Sequence, residues 1–358
     1  MTATPTRART TFHPLTVAAV EELTDDAVAV TFAVPEHLRD TFDFRAGQSL
    51  TLRRVVDGQE QRRSYSICSP AGSAPRIGVR AVPDGLFSRW LVHEVAPGDV
   101  VEVQAPSGSF RADPALGGRH LCIAAGSGIT PVLSIAATVL SHPDARVTLL
   151  YGNRTTGSVM FAEELADLKN RHGARLELVH VLSREPRDVE LFSGRLDAER
   201  LRRLLGALVP LEAVDHVWLC GPFGMVGAAR EVLTELGVPT ERVHTELFFV
   251  DEPPPAPRRT TEVVSGDRSE VTIVLDGLSS TAAVARDVTV LDGAAATRGD
   301  LPFACKGGVC GTCRARVSDG EVDMRRNYAL DPDEVERGFV LTCQSFPVSD
   351  RVTVDFDA

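Results

Sequence analysis

Between residues 11 and 113, apolar and polar positions alternate in short runs, at 15–20, 27–34, 49–55, 63–68, 76–82 and 100–104, separated by Pro and Gly signals. Alternation with period two predicts β-strands with one buried face, and the short, even spacing predicts an antiparallel barrel. One stretch of helical spacing, 86–95, interrupts them. After Gly117-Gly118 the pattern changes to continuous apolar runs at 120–125, 146–151, 176–182, 216–220 and 243–247, with amphipathic stretches at 131–141, 161–171, 197–205 and 225–235 between them. Buried strands alternating with helices predict a parallel α/β sheet built of βαβ units. Residues 251–261 hold four prolines in a polar setting, which forbids helix and predicts a stiff extended spacer. Beyond it, strands at 270–275, 282–284, 339–343 and 351–355 and a helical piece near 290–297 predict a small α+β unit.

These breaks divide the 358 residues into a β-barrel domain at 10–114, an α/β domain at 115–250, a linker at 251–261 and a C-terminal domain at 262–358. The balance of 38 basic against 49 acidic residues, a net charge of −11, argues against a nucleic-acid or anionic-membrane surface and favours a basic partner. From residue 262 onward 10 basic residues face 17 acidic ones, so steering by charge points at the C-terminal domain. No run approaches the roughly 18 apolar residues that span a bilayer, and a cytoplasmic location is expected. Seven cysteines are an odd number, and four of them crowd into the last sixth of the chain, which reads as ligation rather than a disulfide framework.

Those four follow the pattern Cys305-x4-Cys310-x2-Cys313, with Cys343 after 29 intervening residues. Four thiolates at this spacing suit a [2Fe–2S] cluster of the plant type. Gly307, Gly308 and Gly311 let the loop wrap closely and turn backbone N–H groups toward sulfur. Zinc is the competing reading, although zinc sites usually pair two short Cys motifs.

The run at 121–125 leads into Gly126-Ser-Gly128-Ile-Thr130-Pro131 ahead of a helix, with Thr130 expected as N-cap and Pro131 as the first helical residue. Such a turn lets a pyrophosphate approach the backbone at a helix N-terminus, although βα turns also need glycine for purely structural reasons. A second turn, Cys220-Gly221-Pro222-Phe223-Gly224-Met225, opens on the same predicted sheet edge. Arg154 and the Ser183-Arg184 pair follow the second and third strands, where guanidinium groups suit a ribose 2′-phosphate or stand as solvated loop charges. In the barrel, Arg63-Ser64-Tyr65-Ser66 places a pyrophosphate-pairing cation, a ring and a hydroxyl along one strand.

Taken together, these motifs resemble the ferredoxin–NADP reductase superfamily with a C-terminal plant-type ferredoxin domain, including Gly308-Val309-Cys310-Gly311-Thr312-Cys313. The resemblance implies an FAD-binding barrel, an NAD(P)-binding α/β domain and a β-grasp [2Fe–2S] domain. It further implies that Arg63, Ser64, Tyr65 and Ser66 hold FAD, that Gly85 and Ser88 contact its phosphates, and that Phe248 lies by the flavin. Gly126, Gly128, Thr130, Gly221, Pro222 and Met225 would hold the nucleotide, with Arg154, Ser183 and Arg184 favouring NADPH, NADH remaining possible. Ser66, Cys220 and Glu246 would be the catalytic set, and Cys305, Cys310, Cys313 and Cys343 the iron ligands. Phe12-His13-Pro14-Leu15-Thr16-Val17, Gly320-Glu321-Val322-Asp323-Met324 and Asn327-Tyr328-Ala329-Leu330 extend the resemblance to reductase components of multicomponent oxygenases, implying a di-iron oxygenase as electron acceptor, or alternatively a ring-hydroxylating one. A redox-sensing or zinc-binding protein that uses the nucleotide domain without turnover is the reading from another class.

Overall fold

The computed structural model describes residues 11–56, 58–83, 85–248, 267–295, 297–330 and 332–358; the linker at 251–261 lies outside them. The described chain falls into two bodies, one holding the parallel sheet and the barrel apart from Phe12 and Arg62–Ser64, the other the C-terminal sheet together with those residues.

The barrel is a six-stranded sheet, β1 (Phe12–Thr24), β2 (Ala27–Ala33), β3 (Ser49–Val56), β4 (Gln59–Ser66), β5 (Arg76–Arg80) and β6 (Val100–Gln104), in the order β4-β3-β6-β1-β2-β5. A bridge from Ile67, just past β4, to Ile77 of β5 joins the two edges. Register shifts in β1 at Val17/Ala19 and Glu22/Thr24 supply the bending that closure requires. In β2, Val28, Val30 and Phe32 fill the barrel, while Ala27 and Ala29 point the other way into a core shared with the α/β domain. Small residues on that face let the two domains approach closely. Helix α1 (Leu86–His93) is inserted between β5 and β6.

The parallel sheet comprises β7 (Arg119–Ala125), β8 (Arg146–Asn153), β9 (Leu176–Leu182), β10 (His216–Gly221) and β11 (Val243–Leu247), in the order β11-β10-β7-β8-β9. Its faces separate by residue parity: Cys122 and Ala124 of β7 join one core with α2 (Ile129–Val139) and α3 (Ala162–His172), whereas Leu121 and Ile123 join another with α4 (Ala198–Leu208) and α5 (Phe223–Glu235). Strand order reverses between β7 and β10, and in sheets of this kind ligands bind at that reversal, outside the carboxyl ends of the strands.

Helix α2 starts earlier than expected. Gly126–Gly128 forms a 3-10 turn that runs directly into the helix, so Gly128 is the N-cap and Thr130 lies inside the first turn, its hydroxyl donating to Ser127 O at 2.9 Å. Pro131 is the third helical residue instead of the first, still within the turn whose N–H groups lack an intrahelical acceptor.

The C-terminal body contains β12 (Arg268–Leu275), β13 (Leu278–Ala285), α6 (Val290–Ala295), β14 (Arg314–Asp319), β15 (Val322–Met324), α7 (Pro332–Glu336), β16 (Phe339–Leu341), β17 (Ser345–Pro347) and β18 (Arg351–Asp355). Five strands run β13-β12-β18-β14-β16, with β12 and β18 parallel at the centre, and α6 buries Val290, Leu291 and Ala294 in their core. The strand expected at 339–343 stops at Leu341, because the next N–H, of Thr342, is taken by Cys313 O at 3.1 Å.

Candidate active site

At the strand reversal the two glycine turns touch. A Cβ on Gly128 would stand 2.2 Å from Cys220 O, so only glycine lets the first turn lie against the Cys220–Gly221 peptide. Gly221 is similarly confined by Met225 and by the Ala125 backbone. Gly126 adopts φ +55°, a conformation favouring glycine, and its carbonyl accepts from the hydroxyl of buried Tyr151 at 3.0 Å. A Cβ there would lie 3.5 Å from Arg80 Nη1. The result is an open cradle of backbone at a helix start facing a guanidinium, suited to a pyrophosphate.

The three expected catalytic residues come together beside it. β10 and β11 pair in register so that Cys220 lies opposite Glu246, and Ser66 Oγ at the end of β4 donates to Glu246 Oε2 at 3.0 Å. Burial pushes the Glu246 carboxyl up to about 8, against the smaller lowering by Ser66. Burial also raises the Cys220 thiol, and the nearby Glu246 carboxylate adds to the effect. Near neutrality the trio is therefore an uncharged, proton-holding wall. Tyr65 on the same strand is half-buried and packs on Phe87 with ring centroids 6.1 Å apart. Arg63 is exposed, Ser64 is half-buried and Phe248 is 37% exposed at the end of the nucleotide domain. Gly85 caps α1, and Ser88 is buried with its hydroxyl in the same turn, accepting from Val82 N–H at 3.2 Å.

The loops after β8 and β9 are joined backbone to backbone, by Ser183 N–H to Asn153 O at 2.9 Å and Arg184 N–H to Arg154 O at 2.8 Å. Pro222 N-caps α5, in which Met225 is buried. Among the described residues Arg184 has no side-chain partner, whereas Arg154 pairs with Asp26 at 3.5 Å. Asp26 also holds Arg80 Nε at 3.1 Å, and Arg80 Nη2 donates to Ser158 O at 2.7 Å. Asp26 and Arg80 carry no motif that marks them in the sequence; the one local signal is an arginine closing an otherwise buried strand.

In the C-terminal body the cysteines converge two by two. Cys310 donates to Cys305, and Cys313 to Cys343, so the accepting sulfur of each pair is held low and the donating one high. Cys305 is lowered to about 5 by the Cys310 S–H and then by the amides of Gly307, Val309 and Cys310, against the opposing effect of burial. The Gly307 amide lies 3.3 Å from Cys305 Sγ, and the Gly308 amide serves Cys343. Gly308 and Gly311 have φ +81° and +66°, as this wrapping demands. Thr342 pins the distant fourth ligand to the loop: its hydroxyl and amide both donate to Cys313 O, at 3.0 and 3.1 Å. Two thiol pairs lined by amide donors fit a two-iron cluster, which these four cysteines would hold while the amides eased its negative charge.

A barrel, a doubly wound sheet with two glycine turns at its strand reversal and a four-cysteine loop define a nicotinamide-dependent flavin and iron–sulfur reductase. Matches to known domain families agree: the oxidoreductase FAD-binding domain at residues 14–112, the oxidoreductase NAD-binding domain at 122–231 and the 2Fe-2S iron-sulfur cluster binding domain at 273–348. The chain belongs to the ferredoxin–NADP reductase-like flavoproteins that carry a C-terminal plant-type [2Fe–2S] domain. It is 45% identical to one of the subunits of the 1,2-phenylacetyl-CoA epoxidase of Escherichia coli (strain K12), over 98% of this chain and 99% of that protein. It is 36% identical to the 3-ketosteroid-9-alpha-monooxygenase ferredoxin reductase component of Rhodococcus rhodochrous, over 96% of each. The fold is shared with phthalate dioxygenase reductase, at a TM-score of 0.60 and 23% identity over 96% of this chain and 98% of that one.

Proposed function

We propose that this reductase carries electrons from NADPH to a di-iron oxygenase, the 1,2-phenylacetyl-CoA epoxidase, in the cytoplasm. The observation that carries the partner is the end-to-end 45% identity to a component of that enzyme. Bound FAD supplies the two-electron acceptance and one-electron release that link a hydride donor to an iron–sulfur centre.

The chain's own residues take the remaining roles. Arg63, Ser64, Tyr65, Ser66, Gly85 and Ser88 hold the flavin in the barrel, with Phe248 beside it. Gly126, Gly128, Thr130, Gly221, Pro222 and Met225 shape the turns that seat the nucleotide. Arg154, Ser183 and Arg184 meet its ribose phosphate. Ser66 would face the flavin edge and Cys220 the nicotinamide, and half-buried Glu246 keeps a proton at Oε beside the Ser66 hydroxyl, 3.0 Å away. Cys305, Cys310, Cys313 and Cys343 hold the two irons.

The test is reconstitution with purified oxygenase components. NADPH oxidation should couple to consumption of phenylacetyl-CoA and not to that of a 3-ketosteroid by its own oxygenase; the opposite pattern, or no coupling to the epoxidase, refutes the assignment. Rapid-mixing flavin reduction with NADH and NADPH in parallel tests the nucleotide.

A further inference from the structure

The cleft beside the glycine cradle, about 420 Å³, is lined by Arg80, Arg89, His93 and Arg154 and, among the described residues, by one carboxylate, Asp26. That carboxylate comes from the turn between β1 and β2 of the barrel, not from the nucleotide domain. It is held in place: Oδ1 accepts from Thr24 Oγ1 at 2.8 Å and Arg80 Nε at 3.1 Å, while Oδ2 faces Arg154 Nη2 at 3.5 Å. The Arg154 side chain is 52% exposed and that of Asp26 41%, so an incoming anion can reach both.

We infer that Asp26 is a specificity-setting counter-anion, which competes with the ribose phosphate for Arg154 and so limits the preference for NADPH over NADH. The inference rests on the reading that Arg154 meets that phosphate. A dianionic 2′-phosphate must take Arg154 away from Asp26 and then sit near its negative charge; a ribose 2′-hydroxyl does neither. Asp26 thereby taxes NADPH alone. The tertiary contact also explains how a barrel residue enters a choice made at the sheet edge.

The experiment measures kcat and KM for both nucleotides in the FAD-loaded, cluster-loaded protein. Asp26→Asn keeps an acceptor for Thr24 and Arg80 while removing the charge. The NADPH-to-NADH ratio of kcat/KM should rise about two- to fivefold, the range for a half-exposed charge pair, through a lower KM for NADPH. The gain should shrink as salt rises. Asp26→Glu should restore the wild-type ratio, which a purely structural defect would not allow. Arg154→Gln separates the two readings. If it leaves the ratio unchanged, the phosphate-site assignment falls. If it lowers the ratio while Asp26→Asn leaves it unchanged or lowers it, the counter-anion role alone is overturned. Should Asp26→Asn fail to fold, Thr24→Val, which frees the carboxylate from one of its two anchors, must shift the ratio for the inference to stand.

Discussion

Replacing Glu246 by Gln keeps the shape of the side chain and its acceptor for Ser66, and removes its ability to ionise. Burial lifts the carboxyl from 4.5 to about 8 in the folded protein. Between those values the folded state keeps a proton that the unfolded state has lost, so wild-type stability falls as pH rises, by about 1.4 kcal/mol per unit. Below pH 4.5 both states are protonated and the side chain contributes no slope; above 8 both are ionised and the full cost, on the order of 4–5 kcal/mol, is reached. The Gln variant lacks this slope. Trp90 and Trp218 are the only tryptophans and both lie in the barrel–sheet body, so their fluorescence in urea titrations reports the unfolding of that body. The stability gap in favour of the variant should open above about pH 5 and level off above about pH 8. A gap that does not change with pH would show that Glu246 is not held as a neutral acid.

Other outcomes follow from the same geometry. Cys343→Ser should abolish the broad iron–sulfur absorption and bound iron while nucleotide still bleaches the flavin. Thr342→Val removes a buried donor to Cys313 O, and cluster absorption should be lost at lower temperature, consistent with about 1–2 kcal/mol. Gly128→Ala drives a Cβ against Cys220 O and should lower the urea midpoint by the equivalent of about 2 kcal/mol or more. Burial, then His216, push His120 down to about 4, so its contribution to stability is complete above pH 6.5 and fades as pH falls toward 4; His120→Gln should flatten that acid limb in the tryptophan titration.

The barrel and the parallel sheet were legible because their strands carry strong periodicity. The strand bounds at 100–104, 176–182, 243–247 and 351–355 agree with the structure to the residue. Strands β14, β15 and β17 and helix α7 were not anticipated: three to six residues of mixed polarity, such as Val322-Asp323-Met324, hold too little pattern to outweigh a loop. The iron-binding loop could be read from spacing because four thiolates in a fixed pattern are chemically rare. Asp26, Arg80 and Thr342 could not, since each acquires its role from a partner 29 or more residues away.

The core that Ala27 and Ala29 share with the parallel sheet bears on how such proteins can be recombined. Ser134 of α2 donates to Ser69 O at 2.6 Å, and a Cβ on Gly78 would strike Thr130, so the seam between barrel and sheet is fitted atom by atom. A chimera that joins one relative's barrel to another's nucleotide domain near residue 114 inherits two half-surfaces that never diverged together. Among the described residues, the hydrophobic core of the C-terminal body is drawn from Val271 onward. Exchange of parts among these reductases should therefore fail at that crossover near residue 114, which makes the barrel and the nucleotide domain a pair inherited together.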